Sequence, residues 1–189
     1  MATIVHKGTK LAFEDRGAGK PAFVFVHGWS CDRSFFAPQA EHFSRRHRVV
    51  SVDLRGHGES DKPQGAYPIA AYADDIACII EQLGLGKAVA VGHSMGGVTV
   101  LQLAAAHPDC VAAIVMVDPA SLVPPPERRA TLEAMAAATC GAGEECSTEQ
   151  ECGPTTQFAA HDLPPSILVG LMKTDSSTAC VVAAALLPM

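Results

Sequence analysis

The residues best suited to do chemistry lie together in Gly92-His93-Ser94-Met95-Gly96-Gly97. A serine sits between two glycines, with the apolar run Val89-Ala90-Val91 before it and a helix-like run at 98–106 after it. That order predicts a strand, a sharp turn and a helix, with the serine hydroxyl exposed at the turn as a nucleophile. A serine held there adopts a strained backbone, worth on the order of 1–3 kcal/mol. Gly92 and Gly96 leave room for the strand and helix to fold back on each other. The helix aims its free N–H groups, and the positive end of its dipole, at the space above Ser94.

Other reactive types fall at similar places. Ala22-Phe23-Val24-Phe25-Val26 reads as a strand covered on both faces and ends in His27-Gly28-Trp29-Ser30. Val49-Val50-Ser51-Val52 is a second such run, followed by Asp53-Leu54-Arg55-Gly56-His57-Gly58-Glu59-Ser60. Residues 111–117 form another, closed by Asp118-Pro119. Opening strands are expected at 3–6 and 11–15, helices at about 33–46 and around Tyr72, Ile76, Ile79 and Leu83, and a further strand at 87–91. Strands alternating with helices imply a mostly parallel sheet with flanking helices, an α/β fold. Ligands of such sheets bind beyond the carboxyl ends of the strands. His27, Asp53, Ser94 and Asp118 all fall at those ends.

Together, His27-Gly28-Trp29, the Asp53–Ser60 stretch and the Gly92–Gly97 stretch resemble the α/β-hydrolase superfamily, in particular its small esterase, haloperoxidase-like and epoxide-hydrolase-like members. The resemblance covers residues 1–119 well and the remainder loosely. It implies Ser94 as nucleophile and an oxyanion hole built from the backbone N–H groups of Trp29 and Met95. It implies a structural role for the 53–60 loop, with Arg55 and Asp53 tying its backbone, although Asp53, His57 and Glu59 are all metal-ligand types. His93 is expected to be packed or hydrogen-bonded beneath the turn, away from the Ser94 hydroxyl. Trp29 is expected to be part core and part pocket wall.

The later part departs from the family pattern. An acid and then a base should follow the serine, each after a further strand, and no such strands are evident before the sequence stops at Met189. Asp118 occupies a place where some family members carry the acid. His161 is the only histidine after it, so Ser94, Asp118 and His161 stand in the right order. His161 nevertheless lies beside Asp162 and before Pro164-Pro165, which places it in a cap and away from Ser94. The boundary is drawn near Pro119, with a core at 1–119 and a helical cap region at 120–189. Residues 164–189 read as helix, with β character only at Ile167-Leu168-Val169. The fold expected is therefore an incomplete α/β-hydrolase core with a helical cap.

Composition narrows the partners. Hydrophobic residues make up 48% of the 189 and the formal net charge is −6, which offers no basic field for nucleic acid or an anionic membrane. No apolar tract is long enough to span a bilayer, and no secretory signal pattern opens the chain, so a cytoplasmic location is expected. The seven cysteines are then reduced, and Cys140, Cys146 and Cys152 lack zinc-site spacing, with a disulfide possible under oxidant. The expectation is a serine hydrolase of small-molecule ester-like bonds acting through Ser94, weak or inactive as given for want of the acid and base strands, and using no metal or organic cofactor. A non-catalytic ligand-binding relative and a fragment with an open sheet edge are the alternatives. Substrate identity and oligomeric state are not legible.

Overall fold

The computed structural model describes residues 1–119 and the strands at 167–173 and 180–186. Its centre is a sheet in the order β1-β2-β4-β3-β5-β6-β8-β7. The hairpin β1 (Ala2–His6) and β2 (Thr9–Arg16) lies antiparallel along β4 (Val49–Val52). Next come β3 (Phe23–Val26), β5 (Ala88–His93) and β6 (Val111–Val117), which together with β4 form a parallel centre. Parallel pairing is confined to those four strands, and both flanks are antiparallel, so the sheet is mixed.

Alternation along the strands divides the core between two faces. Val24, Val26, Val50, Val52 and Ala90 point to one face, against α2 (Ile69–Gln82) and α3 (Met95–Ala106). Ile76, Ile79 and Leu103 there are fully buried, each worth about 1.5–3 kcal/mol of burial. Phe25, Val49 and Val91 point to the other face, where Phe36, Ala40 and Phe43 cover them. Those covering residues belong to a 3₁₀ turn at Arg33–Phe36 and to α1 (Ala37–Ser44). The single helix expected over 33–46 is thus split, with Pro38 in the first turn of α1. Proline there removes no helical hydrogen bond.

The reading of 164–189 as helix is overturned. β7 (Ile167–Lys173) and β8 (Cys180–Leu186) form an antiparallel hairpin, and β8 pairs along β6 from Ala113↔Ala185 to Val117↔Val181. The edge of β6 expected to stand open is therefore occupied. An unpaired strand edge offers a row of N–H and C=O groups, and short runs rich in valine and alanine satisfy them despite weak local preference. Other parts of the 120–189 region expected as cap, including Cys140, Cys146, Cys152 and His161, lie outside the described residues. Among the described residues, no helix is long and apolar enough to cross a membrane.

Candidate active site

β5 ends at His93, and α3 begins at Met95, leaving Ser94 alone at the junction with φ 51° and ψ −114°. This is the strained left-handed backbone that the glycine-flanked serine predicts. Its N–H donates to Val117 O on β6 at 3.0 Å, and its carbonyl accepts from Gly97 N at 3.0 Å. The strain is therefore held by hydrogen bonds on both sides of the residue. A side chain at Gly92 would run into the Gly96 backbone, and one at Gly96 into the carbonyls of Val26 and His27. Those contacts let α3 pack directly on β3 and β5. Met95 opens the helix, where its N–H has no preceding carbonyl to bond within α3.

The end of β3 lies alongside. Val26 pairs with Gly92, which brings the His27-Gly28 turn against Ser94. A Cβ on Gly28 would meet Ser94 Cβ at 3.2 Å and His93 Nδ1 at 2.9 Å. His27 is fully buried. Its Nδ1–H donates to Gly28 O at 2.7 Å, while Nε2 accepts from Leu54 N at 3.1 Å. Burial holds its pKa below the ordinary histidine value, outweighing the bond to Gly28 that would raise it. His27 is thus neutral with its proton on Nδ1. Trp29 follows with its side chain 48% exposed, at the surface of the same turn.

The 53–60 loop is built on Asp53, which is fully buried. Its carboxylate accepts from Arg33 N at 2.7 Å and Glu59 N at 2.9 Å and pairs with the Arg33 guanidinium. Arg33 also reaches Glu59 at 2.5 Å. Arg55 departs from expectation. Its guanidinium binds Asp75 on α2 with two 2.6 Å bonds rather than tying its own loop. Among the described residues no cluster of histidine, cysteine or carboxylate is arranged to hold a metal ion. No motif announced Arg33 or Asp75, because both come from separate elements that only the fold brings near.

His93 is packed rather than hydrogen-bonded. Its ring stacks on Phe35 with centroids 4.5 Å apart, and among the described residues its buried Nδ1 has no hydrogen-bond partner. Asp118 follows β6 at the same end of the sheet as Ser94, exposed and with φ 42°. Among the described residues the structure therefore brings Ser94, Met95, the Gly28-Trp29 turn and Asp118 to one end of the sheet. His161 lies outside them.

Known proteins resemble this chain in sequence and fold. The family model for the alpha/beta hydrolase fold matches residues 21–138. A 2-(acetamidomethylene)succinate hydrolase from Mesorhizobium japonicum is 41% identical over 108 residues, covering 57% of this chain and 38% of its own length. A non-heme chloroperoxidase from Streptomyces lividans is 41% identical over 130 residues, covering 66% of this chain and 46% of its own. A thermophilic esterase from Thermogutta terrifontis superposes with a TM-score of 0.64 at 36% identity, covering 72% of this chain and 50% of that one. The chain thus spans half or less of the length of these three proteins.

Proposed function

This chain belongs to the α/β-hydrolase family, and from that premise we propose that it cleaves small-molecule ester-like bonds through an acyl-enzyme on Ser94. The observation that carries the proposal is the strained Ser94 backbone at the β5–α3 junction. The junction lifts the hydroxyl clear of the sheet and sets it at a helix N-terminus. Ser94 Oγ attacks the ester carbonyl carbon and loses its proton to a base. The tetrahedral intermediate expels the alcohol, which takes the proton back from the base, and leaves an acyl-serine. Water, deprotonated by the same base, then attacks it to release the acid and return the proton to Ser94. Two N–H groups, of Met95 and Trp29, receive the developing oxyanion, and one such donor is worth about 2.7–4 kcal/mol. Asp118 is the acid in this reading, because the β5–β6 pairing carries it to the strand end beside Ser94. The scheme uses no metal and no organic cofactor.

The test is covalent labelling. A fluorophosphonate should modify Ser94, located by peptide mass spectrometry, and p-nitrophenyl acetate should be turned over. Ser94→Ala should abolish both while its circular dichroism matches that of the parent. Undiminished turnover in that variant would remove Ser94 from the mechanism.

A further inference from the structure

We propose that His27 is a positioning residue for the oxyanion site: its Nδ1–H, bonded to the Gly28 carbonyl, fixes the peptide plane that aims the Trp29 N–H at the space above Ser94. The inference rests on the reading of Ser94 as nucleophile. It starts from the geometry of one amide. The only cis peptide among the described residues is Lys20–Pro21, so the Gly28–Trp29 peptide is trans. In a trans amide the C=O and the N–H point in opposite directions. Whatever pins the Gly28 oxygen therefore decides where the Trp29 N–H points.

Two donors pin that oxygen. Cys31 N–H reaches it at 3.3 Å and closes the turn, in which Ser30 takes a left-handed φ of 55°. The His27 Nδ1–H bond is much shorter, at 2.7 Å. The Trp29 indole cannot anchor the turn by its own burial, since nearly half of it is exposed. No hydrogen bond takes up the Trp29 N–H among the described residues.

The imidazole is itself held from the far side. Leu54 N–H donates to Nε2 at 3.1 Å, which forces the proton onto Nδ1, the nitrogen that Gly28 needs. Leu54 follows Asp53, whose carboxylate is clamped by Arg33 and Glu59. The ring thus transmits the position of the β4 loop to the β3 turn. Sequence alone places His27 at a strand end and in the His27-Gly28-Trp29 motif, and names no partner for its ring.

Two substitutions separate the two nitrogens. His27→Asn keeps a donor near the place of Nδ1 and gives up the bond from Leu54. His27→Gln keeps an acceptor near the place of Nε2 and gives up the donor to Gly28. Turnover of p-nitrophenyl acetate by the full chain should fall about 10²–10³-fold in kcat for His27→Gln, as for loss of one oxyanion donor, with KM nearly unchanged. His27→Asn should recover most of that loss. A glutamine variant as active as the asparagine variant, or more so, overturns the proposal. Nitrogen-15 NMR of the unaltered protein gives an answer independent of variant folding: a proton on Nδ1 of His27 supports the proposal and one on Nε2 overturns it. Ser94→Ala is run in parallel. If it leaves turnover intact, the nucleophile reading falls and this inference with it. If it abolishes turnover while His27→Gln matches the parent, only this inference falls.

Discussion

Ser94 stands between two strand ends that are built very differently. On the β3 side, His27 and Gly28 are buried, and the turn is held by bonds from His27 and Cys31. The loop after β4 braces it through Leu54 and Asp53. On the β6 side, Asp118 is exposed in a left-handed conformation, and the strand beyond β6 is antiparallel β8 rather than another parallel strand. The first side is assembled almost wholly from one stretch of chain, His27 to Ser60, whose separate elements bond to one another. The second depends on chain well beyond residue 119. An oxyanion site is made of backbone and can be preorganised by such short-range bonds. An acid–base relay needs side chains delivered from distant segments.

The comparison breaks most visibly if the β3 side is not the rigid one. Asp53→Ala should leave the Arg33 guanidinium and two backbone N–H groups without their carboxylate. Removing one partner of a buried pair costs about 3–5 kcal/mol, read as a shift of the urea midpoint at unchanged slope. A loss below about 1 kcal/mol, the scale of exposed pairs, would show that the brace carries little.

Gly28→Ala should cost less, because its Cβ meets side chains first, His93 Nδ1 at 2.9 Å and Ser94 Cβ at 3.2 Å, and backbone only at the His93 carbonyl oxygen, at 3.3 Å. Overpacking of that kind costs about 1–3 kcal/mol. It should also lower the rate of Ser94 labelling more than it lowers stability, since the groups it crowds are the serine and its neighbour His93. Equal labelling at reduced stability would mean that the turn does not set the site.

The pH dependence sharpens the same contrast. Burial depresses the His27 pKa in the folded chain, so the unfolded chain takes up that proton first as pH falls. The contribution of neutral His27 to stability is complete above the unfolded value of about 6.5. It is lost as pH falls from there through the folded pKa. Urea midpoints should therefore decline on acidification through this window, and less so in His27→Asn, which cannot titrate. An identical decline in that variant would assign the effect elsewhere. The β6 side should respond least and in the opposite direction. Asp118→Gly relieves a left-handed φ of 42° and should raise the melting free energy by no more than about 1 kcal/mol, measured by calorimetry. A clear destabilisation would show that the Asp118 carboxylate is anchored after all.

Much of the fold was legible because its centre is written in short apolar runs. Phe23–Val26 is uninterrupted, and Val49–Val52 is broken only by the small Ser51, because both faces of those strands are covered, and their ends carry His27 and Asp53. Ser94 was legible for a steric reason: only glycine fits at 92 and 96 when a helix closes onto a strand. Arg55 was misread because its glycine-rich loop suggested a local partner, whereas Asp75 lies on α2. The strands at 167–173 and 180–186 were misread as helix because alanine, leucine and methionine favour helices. Their pairing is decided by the edge of β6, which no local window contains.

The sequence by itself determined the strand–turn–helix around Ser94, the parallel character of the central strands and the placing of His27, Asp53, Ser94 and Asp118 at their carboxyl ends. Those follow from hydrophobic period and from the steric demands of glycine, both properties of neighbouring residues. Only the tertiary structure decided which nitrogen of His27 carries the proton, which carboxylate Arg55 meets and what covers β6. Each of these depends on a hydrogen bond between separate elements, and a hydrogen bond has a direction and a length that composition and spacing do not encode.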